Sequence, residues 1–156
     1  MLVKRAVTAA DAALIAAHRE AMFASMAIAG DAVLATMRRA CEPWLARMIA
    51  EDKYAGWIIS NGELPVASAG LLILDWPPHP FDPEGERRGY VLNVFVEPHY
   101  RRRGLARELT EMCMAEARRR GIRVVTLHAS DAGRPVYQSM GFKASNEMTY
   151  VAPAES

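Results

Sequence analysis

The hydrophobic positions of this chain alternate between the helical period and the short apolar runs of strands, and each switch marks an element. "LVKRAV" opens as a short strand, and Thr8 is placed to cap the Ala-rich helix "AADAALIAAHREAMFASM". Gly30 and Asp31 restart a helix in which Val33, Leu34, Met37, Cys41, Trp44, Leu45, Met48 and Ile49 recur at roughly helical spacing, with Pro43 placed to kink or divide it. "AGWIIS" and "VASAGLLIL" flank Asn61-Gly62, a strong hairpin signal. From Asp75 to Arg88, "DWPPHPFDPEGERR" reads as a long loop rather than a linker, because apolar strands lie on both sides.

"YVLNVFVEP" is nearly all apolar and reads as a strand covered on both faces, with Asn93 as its only interior polar side chain. Leu105, Leu109, Met112, Cys113 and Ala117 mark one face of the next helix, and Gly121 stands where its C-terminal stop belongs. "IRVVTLHAS" is a further buried strand, "GRPVYQSMGF" a short helix ending at Gly141, and "EMTYVA" a last strand. The order β-α-α-β-β-β-α-β-α-β predicts a mixed α/β fold with a strand-helix-strand unit at its centre.

Composition narrows the class. A chain of 156 residues is most simply one domain, 1–156, that buries about two thirds of its unfolded surface. With 51% hydrophobic and 24% charged residues and a net charge of +1, it is neither a disordered chain nor a strongly nucleic-acid-binding one. "ARRRG" is dense in arginine, but Arg118, Arg119 and Arg120 end a helix, where cations suit the dipole, and no nucleic-acid motif surrounds them. Cys41 and Cys113 fall in helical patterns and read as core thiols of a reducing compartment. Asp11 interrupts the apolar run after Lys4 and Arg5, and "VASAGLLIL" is too short to span a bilayer, so the expectation is a cytoplasmic protein with no membrane partner.

The candidate chemistry sits in "YRRRGLARELTEM", Tyr100 to Met112, where a buried strand hands over to a helix through one glycine and three arginines. The N–H groups of a first helical turn have no intrahelical partner and, with the positive end of the dipole, attract anions. Glycine lets a phosphate reach the backbone. Arg101, Arg102 and Arg103 oppose the dipole, a cost that makes sense if a bound anion offsets it. Neither G-x-x-x-x-G-K-[ST] nor G-x-G-x-x-G occurs; the pattern is [QR]-x-x-G-x-[GA], filled by Arg101, Gly104 and Ala106.

In this context the second half of the chain, from "YVLNVFVEP" through the glycine turn to "GRPVYQSMGF", resembles the GNAT superfamily of acetyl-CoA-dependent N-acetyltransferases; the first half fits by element order only. The resemblance implies a central, mostly antiparallel sheet with a splayed parallel pair of strands and about four flanking helices. It implies that acetyl-CoA is the cosubstrate, with no metal, and that its pyrophosphate lies on N–H groups of Arg102, Arg103, Gly104, Leu105 and Ala106, with Arg101 shaping the turn or touching phosphate. The pantetheine arm would pair with backbone groups of Phe95 and Val96, with Val94 near the thioester carbonyl. Tyr137 matches the tyrosine that returns a proton to the departing thiolate, against the alternative of a core tyrosine packing its helix on the sheet. Ser130 stands where many relatives have an asparagine that contacts the pantetheine or the helix start; Asp131 is placed to cap that helix, and Pro135 suits its first turn.

No carboxylate occupies the interior of "YVLNVFV", where some relatives carry the base that deprotonates the acceptor, and Glu97 lies at the strand end. A lysine-like amine near pKa 10.4 is neutral about once in 2,500 molecules at pH 7, roughly 4.6 kcal/mol to supply, whereas an α-amine near 7.8 needs only about 1. A weakly basic amine therefore fits better. His128, at a strand end, is the best protein-side base, with a merely packed histidine as the alternative. Asn93 either orients the acceptor or a water, or satisfies a bulge. By resemblance the acceptor pocket falls near Met22 to Gly30 and the Trp76 to Phe81 loop, which forms either an apolar wall or a rigid cover of the sheet edge. The expected partner is a small-molecule amine or a peptide or protein amine. A homodimer is compatible with the fold class, and an acetyl-CoA-binding module with little turnover is the rival function.

Overall fold

Asn61 pairs with Leu64 across a two-residue turn in which Gly62 has φ +60°, the conformation glycine supplies at the first central position of a tight hairpin. The turn is therefore Gly62-Glu63, one residue later than the Asn61-Gly62 signal. It joins β2 (Tyr54–Asn61) to β3 (Leu64–Asp75) at the centre of the sheet. The computed structural model describes residues 1–154.

Around this hairpin the sheet runs β1-β2-β3-β4-β5, with β1 (Leu2–Ala6) antiparallel to β2 and β4 (Arg87–Val96) antiparallel to β3. β5 (Val125–Leu127) is parallel to β4 and pairs with it only from Gly89 to Val91. Among the described residues β4 runs on to Val96 without a partner on that edge, so the two parallel strands part after Val91. The expected mixed sheet with one splayed parallel pair is observed.

Helices cover both faces, as the continuous apolar runs of β2 to β4 require. α1 (Ala12–Ser25) and α2 (Asp31–Ala50) cover one face, where Ile15, Ala16, Leu45 and Tyr54 pack with Leu72 and Leu92. α3 (Leu105–Arg119) covers the other, packing Leu105, Leu109, Cys113 and Ala117 on Val66, Ala67, Leu71 and Val91. α4 (Arg134–Ser139) is the fourth helix. Thr8 caps a short 3₁₀ turn ahead of α1 through a reciprocal bond with Asp11, whose carboxylate accepts the Thr8 N–H at 2.7 Å. Pro43 lies inside α2 and does not divide it. Among the described residues, no helix is long and apolar enough to cross a membrane.

One expected element is absent. "EMTYVA" forms no strand: residues 142–154 have no regular structure, and Met148, Tyr150 and Val151 are exposed. A strand persists only where a neighbour takes its hydrogen bonds. The adjacent β5 is three residues long instead of spanning "IRVVTLHAS", and it pairs only with β4.

Candidate active site

The polar residue inside β4 is explained by a register slip. Leu92 pairs with Gly70 and Phe95 with Ser68, so Ala69 alone faces Asn93 and Val94. This is a β-bulge, with Asn93 at φ +57°. The bulge resets the alternation: Leu92 packs on the α1/α2 side, Val94 and Val96 on the α3 side, and Phe95 turns back to α1.

Buried Asn93 has both ends of its amide occupied within the protein. Its Nδ2 donates to the Tyr54 hydroxyl at 3.2 Å, and its Oδ1 accepts from Arg19 of α1 at 2.8 Å. Its side chain thus satisfies the bulge. Burial raises the Tyr54 phenol far above its usual range, so it stays a neutral hydroxyl.

Next along the bulge lies His18, which the sequence reading passed over as one position in an Ala-rich helix. Its Nδ1 is 2.6 Å from the Ser68 hydroxyl, its ring is 4.5 Å from that of Phe95, and burial lowers its pKa to about 4. Arg19, equally unremarked, lies 4.9 Å from the centre of the Phe23 ring. The available signal was a histidine and an arginine in succession on a helix whose neighbours are mostly alanine.

At its C-terminal end β4 leads through a 3₁₀ turn, Pro98–Tyr100, into the arginine-rich turn. Arg102 has φ +63° and Gly104 φ +77°, so two left-handed residues turn the chain into α3. Among the described residues, none of the N–H groups from Arg102 through Arg107 donates to a protein acceptor; the first helical bond is from Glu108 to Gly104, 3.0 Å. Arg101 donates from Nε to the Val96 carbonyl at 3.2 Å, and Arg103 lies against Tyr100 and donates to the His99 carbonyl. Arg102 has no such tie and is exposed. The one acid of the first turn, Glu108, is paired with Lys4, so the turn stays electropositive.

Tyr137 stands on α4, and burial raises its phenol pKa while the nearby Thr110 side chain of α3 opposes the shift. The Ser130 hydroxyl accepts the Gly133 N–H at 3.1 Å, so Ser130 rather than Asp131 tethers the start of α4. The helix begins late, at Arg134 with Pro135 in its first turn, which puts Asp131 out of the capping position. Tyr137 and His128 line a common cleft of about 660 Å³ with Tyr90, Leu127 and Arg134. His128 is exposed and contacts the Tyr90 hydroxyl through Nδ1. Asn93 and the glycine turn lie outside that lining.

Neither cysteine is exposed. Cys113 is fully buried under α3, where burial pushes its thiol up to about 12, and Cys41 is half-buried on α2 with its pKa also raised by burial.

This geometry can be set beside known proteins. The family described as acetyltransferase (GNAT) domain matches residues 84–152. A solved GCN5-related N-acetyltransferase from Ralstonia eutropha is 37% identical, over 97% of this chain and 99% of that one, with a TM-score of 0.91. The chain belongs to the GNAT family of acetyltransferases. A predicted acetyltransferase from Clostridium acetobutylicum, solved with acetyl-CoA, is 25% identical over 97% of this chain and 96% of that one, with a TM-score of 0.86. An acetyltransferase of Trypanosoma brucei, at 21% identity and a TM-score of 0.69 over 98% and 100% of the two chains, shares the fold. No curated protein matches the sequence. The matched stretch of this GNAT chain holds β4, the glycine turn, α3, β5 and α4, whereas His18 and Arg19 lie outside it.

Proposed function

We propose that the protein transfers acetyl from acetyl-CoA to a primary amine by direct attack in a ternary complex. The observation that carries this reading is the run of unpartnered N–H groups from Arg102 to Arg107, set at the end of a strand whose far edge is unpaired after Val91. Similarity to a protein solved with acetyl-CoA supports the cosubstrate.

In this reading the pyrophosphate lies on N–H groups of Arg102, Arg103, Gly104, Leu105 and Ala106, with Arg102 free to add charge. Arg101 is held to Val96 and shapes the turn. The pantetheine follows the open edge of β4 beside Phe95 and Val96, and the thioester carbonyl meets backbone donors near Val94 as negative charge develops on its oxygen. The amine nitrogen bonds to the carbonyl carbon, the C–S bond breaks, and Tyr137, kept protonated by burial, donates its proton to the thiolate. The acceptor's proton leaves through His128 or water and the phenol is reprotonated. Ser130 acts on Tyr137 through the start of α4, and Asn93 is a positioning residue that holds the bulge open.

Calorimetric titration with acetyl-CoA, repeated with dephospho-CoA and with pantetheine alone, tests the cosubstrate site. Binding should depend on the pyrophosphate, and thiol release should follow when amines are added. Binding without release for any amine would leave an acetyl-CoA-binding module. No binding at millimolar acetyl-CoA would remove the reading.

A further inference from the structure

The half-buried arginines of this chain are Arg19, Arg88 and Arg120. Arg120 is neutralised by Asp52 at 2.8 Å and by Glu116. The other two have no carboxylate within ion-pairing distance among the described residues; the acids that pair do so with Lys4, Arg5, Arg38, Lys53, Arg107, Arg119 and Arg120. Desolvating a guanidinium without a counter-charge is unfavourable, so a partly buried, unpaired one asks for an explanation.

Both stand on the same side of β4. Arg88 alternates with Gly89 and Val91, which face α3 and its neighbours, and so shares the α1 face with Leu92; its guanidinium lies 4.2 Å from the centre of the Trp76 ring and its buried Nε has no partner. Arg19 reaches the bulge from α1 itself. One amino group of Arg19 is spent on Asn93 and the plane is steadied by Phe23, which leaves Nε and the second amino group unpartnered. That remaining edge is the one that accepts a carboxylate through two parallel N–H···O bonds.

We propose that the acceptor amine carries a carboxylate, and that Arg19 binds it on the α1 face of the β4 bulge, with Arg88 adding positive charge on the same face. This rests on the acetyltransferase reading above and names the substrate class. The planar two-donor edge fits the two coplanar oxygens of a carboxylate.

The test is a thiol-release assay with glycine, β-alanine, γ-aminobutyrate and glutamate against their carboxamides, and with phosphoethanolamine. At least one acid should exceed its carboxamide in kcat/KM by tenfold or more. Arg19→Gln, which can still donate to Asn93, should lower kcat/KM for the acid at least tenfold more than for the carboxamide, chiefly through KM, and Arg88→Gln should act in the same direction but less. Equal losses for acid and carboxamide would mean a purely structural arginine and would overturn the proposal, as would phosphoethanolamine as the preferred acceptor. If no amine in the panel turns over, the same acids are titrated into the protein saturated with CoA. Carboxylates that bind the unaltered protein and not Arg19→Gln uphold the proposal, and carboxylates that fail to bind overturn it. Failure to bind CoA at all strikes at the acetyltransferase reading instead.

Discussion

The Tyr54 hydroxyl fills the space that a side chain at Gly70 would occupy: a Cβ there would lie 2.0 Å from it. Two adjacent antiparallel strands thereby place a phenol over a glycine, and that phenol is the acceptor for Asn93 at the bulge. The missing side chain on β3 is thus part of what holds β4 in its bulged form.

Gly70→Ala should therefore cost about 1–3 kcal/mol, the usual range for overpacking a dense core, since the ring and not only its hydroxyl stands in the way. Tyr54→Phe should cost about 1–3 kcal/mol by a different route, because the buried Asn93 amide loses an acceptor. Urea unfolding measures both. A Tyr54→Phe variant as stable as the parent would show that Asn93 does not depend on that hydrogen bond.

Gly104 has φ +77° and open space around its missing Cβ, so an alanine there meets no clash but adopts a left-handed conformation. Gly104→Ala should lose about 1–2 kcal/mol of stability or re-form the turn. Acetyl-CoA affinity should fall at least tenfold in calorimetry, since either outcome disturbs the N–H groups offered to phosphate. Unchanged affinity would move the pyrophosphate away from this turn.

Tyr137→Phe should slow acetyl transfer about 10²- to 10⁴-fold, the range for losing a positioned proton donor, with acetyl-CoA binding changed by less than about threefold. Burial raises the phenol pKa, so the protonated, donating form persists above the pH at which a free tyrosine ionises. Any loss of rate from ionisation of this donor should accordingly appear only above about pH 10. An undiminished rate in the variant would return Tyr137 to a packing role.

The Gly104 and Tyr137 predictions fall in the part of the chain where the sequence was most legible, and the reason is locality. The turn, α3 and α4 are specified by residues close together: Arg101, Gly104 and Ala106 in one pattern, Pro135 and Tyr137 in one short helix. Asn93 was visible as a lone polar residue in an apolar strand, but its partners Arg19 and Tyr54 are 74 and 39 positions away. The polar groups of the α1 face were therefore hidden, because helical periodicity marks what is buried and not what a buried polar atom touches. The failed last strand has a related cause: "EMTYVA" has strand composition, yet a strand needs a neighbouring edge, and edges are a property of the assembled sheet.

His18 gives the fold a pH dependence of definite sign. With 6% of its surface exposed, its ring lies against Phe95 and Ser68, and burial disfavours the imidazolium, lowering the pKa from 6.5 to about 4. In the unfolded chain the ring takes up its proton near pH 6.5, so between the two values the unfolded state binds more protons than the folded one. The contribution to stability is therefore complete above about pH 6.5 and is lost as pH falls toward 4, by an amount of order 2–3 kcal/mol. His18→Gln keeps a polar partner for Ser68 and removes the titration. Its urea midpoint should change little between about pH 7 and pH 4.5, while that of the unaltered protein falls; parallel losses in the two would assign the acid sensitivity to other groups.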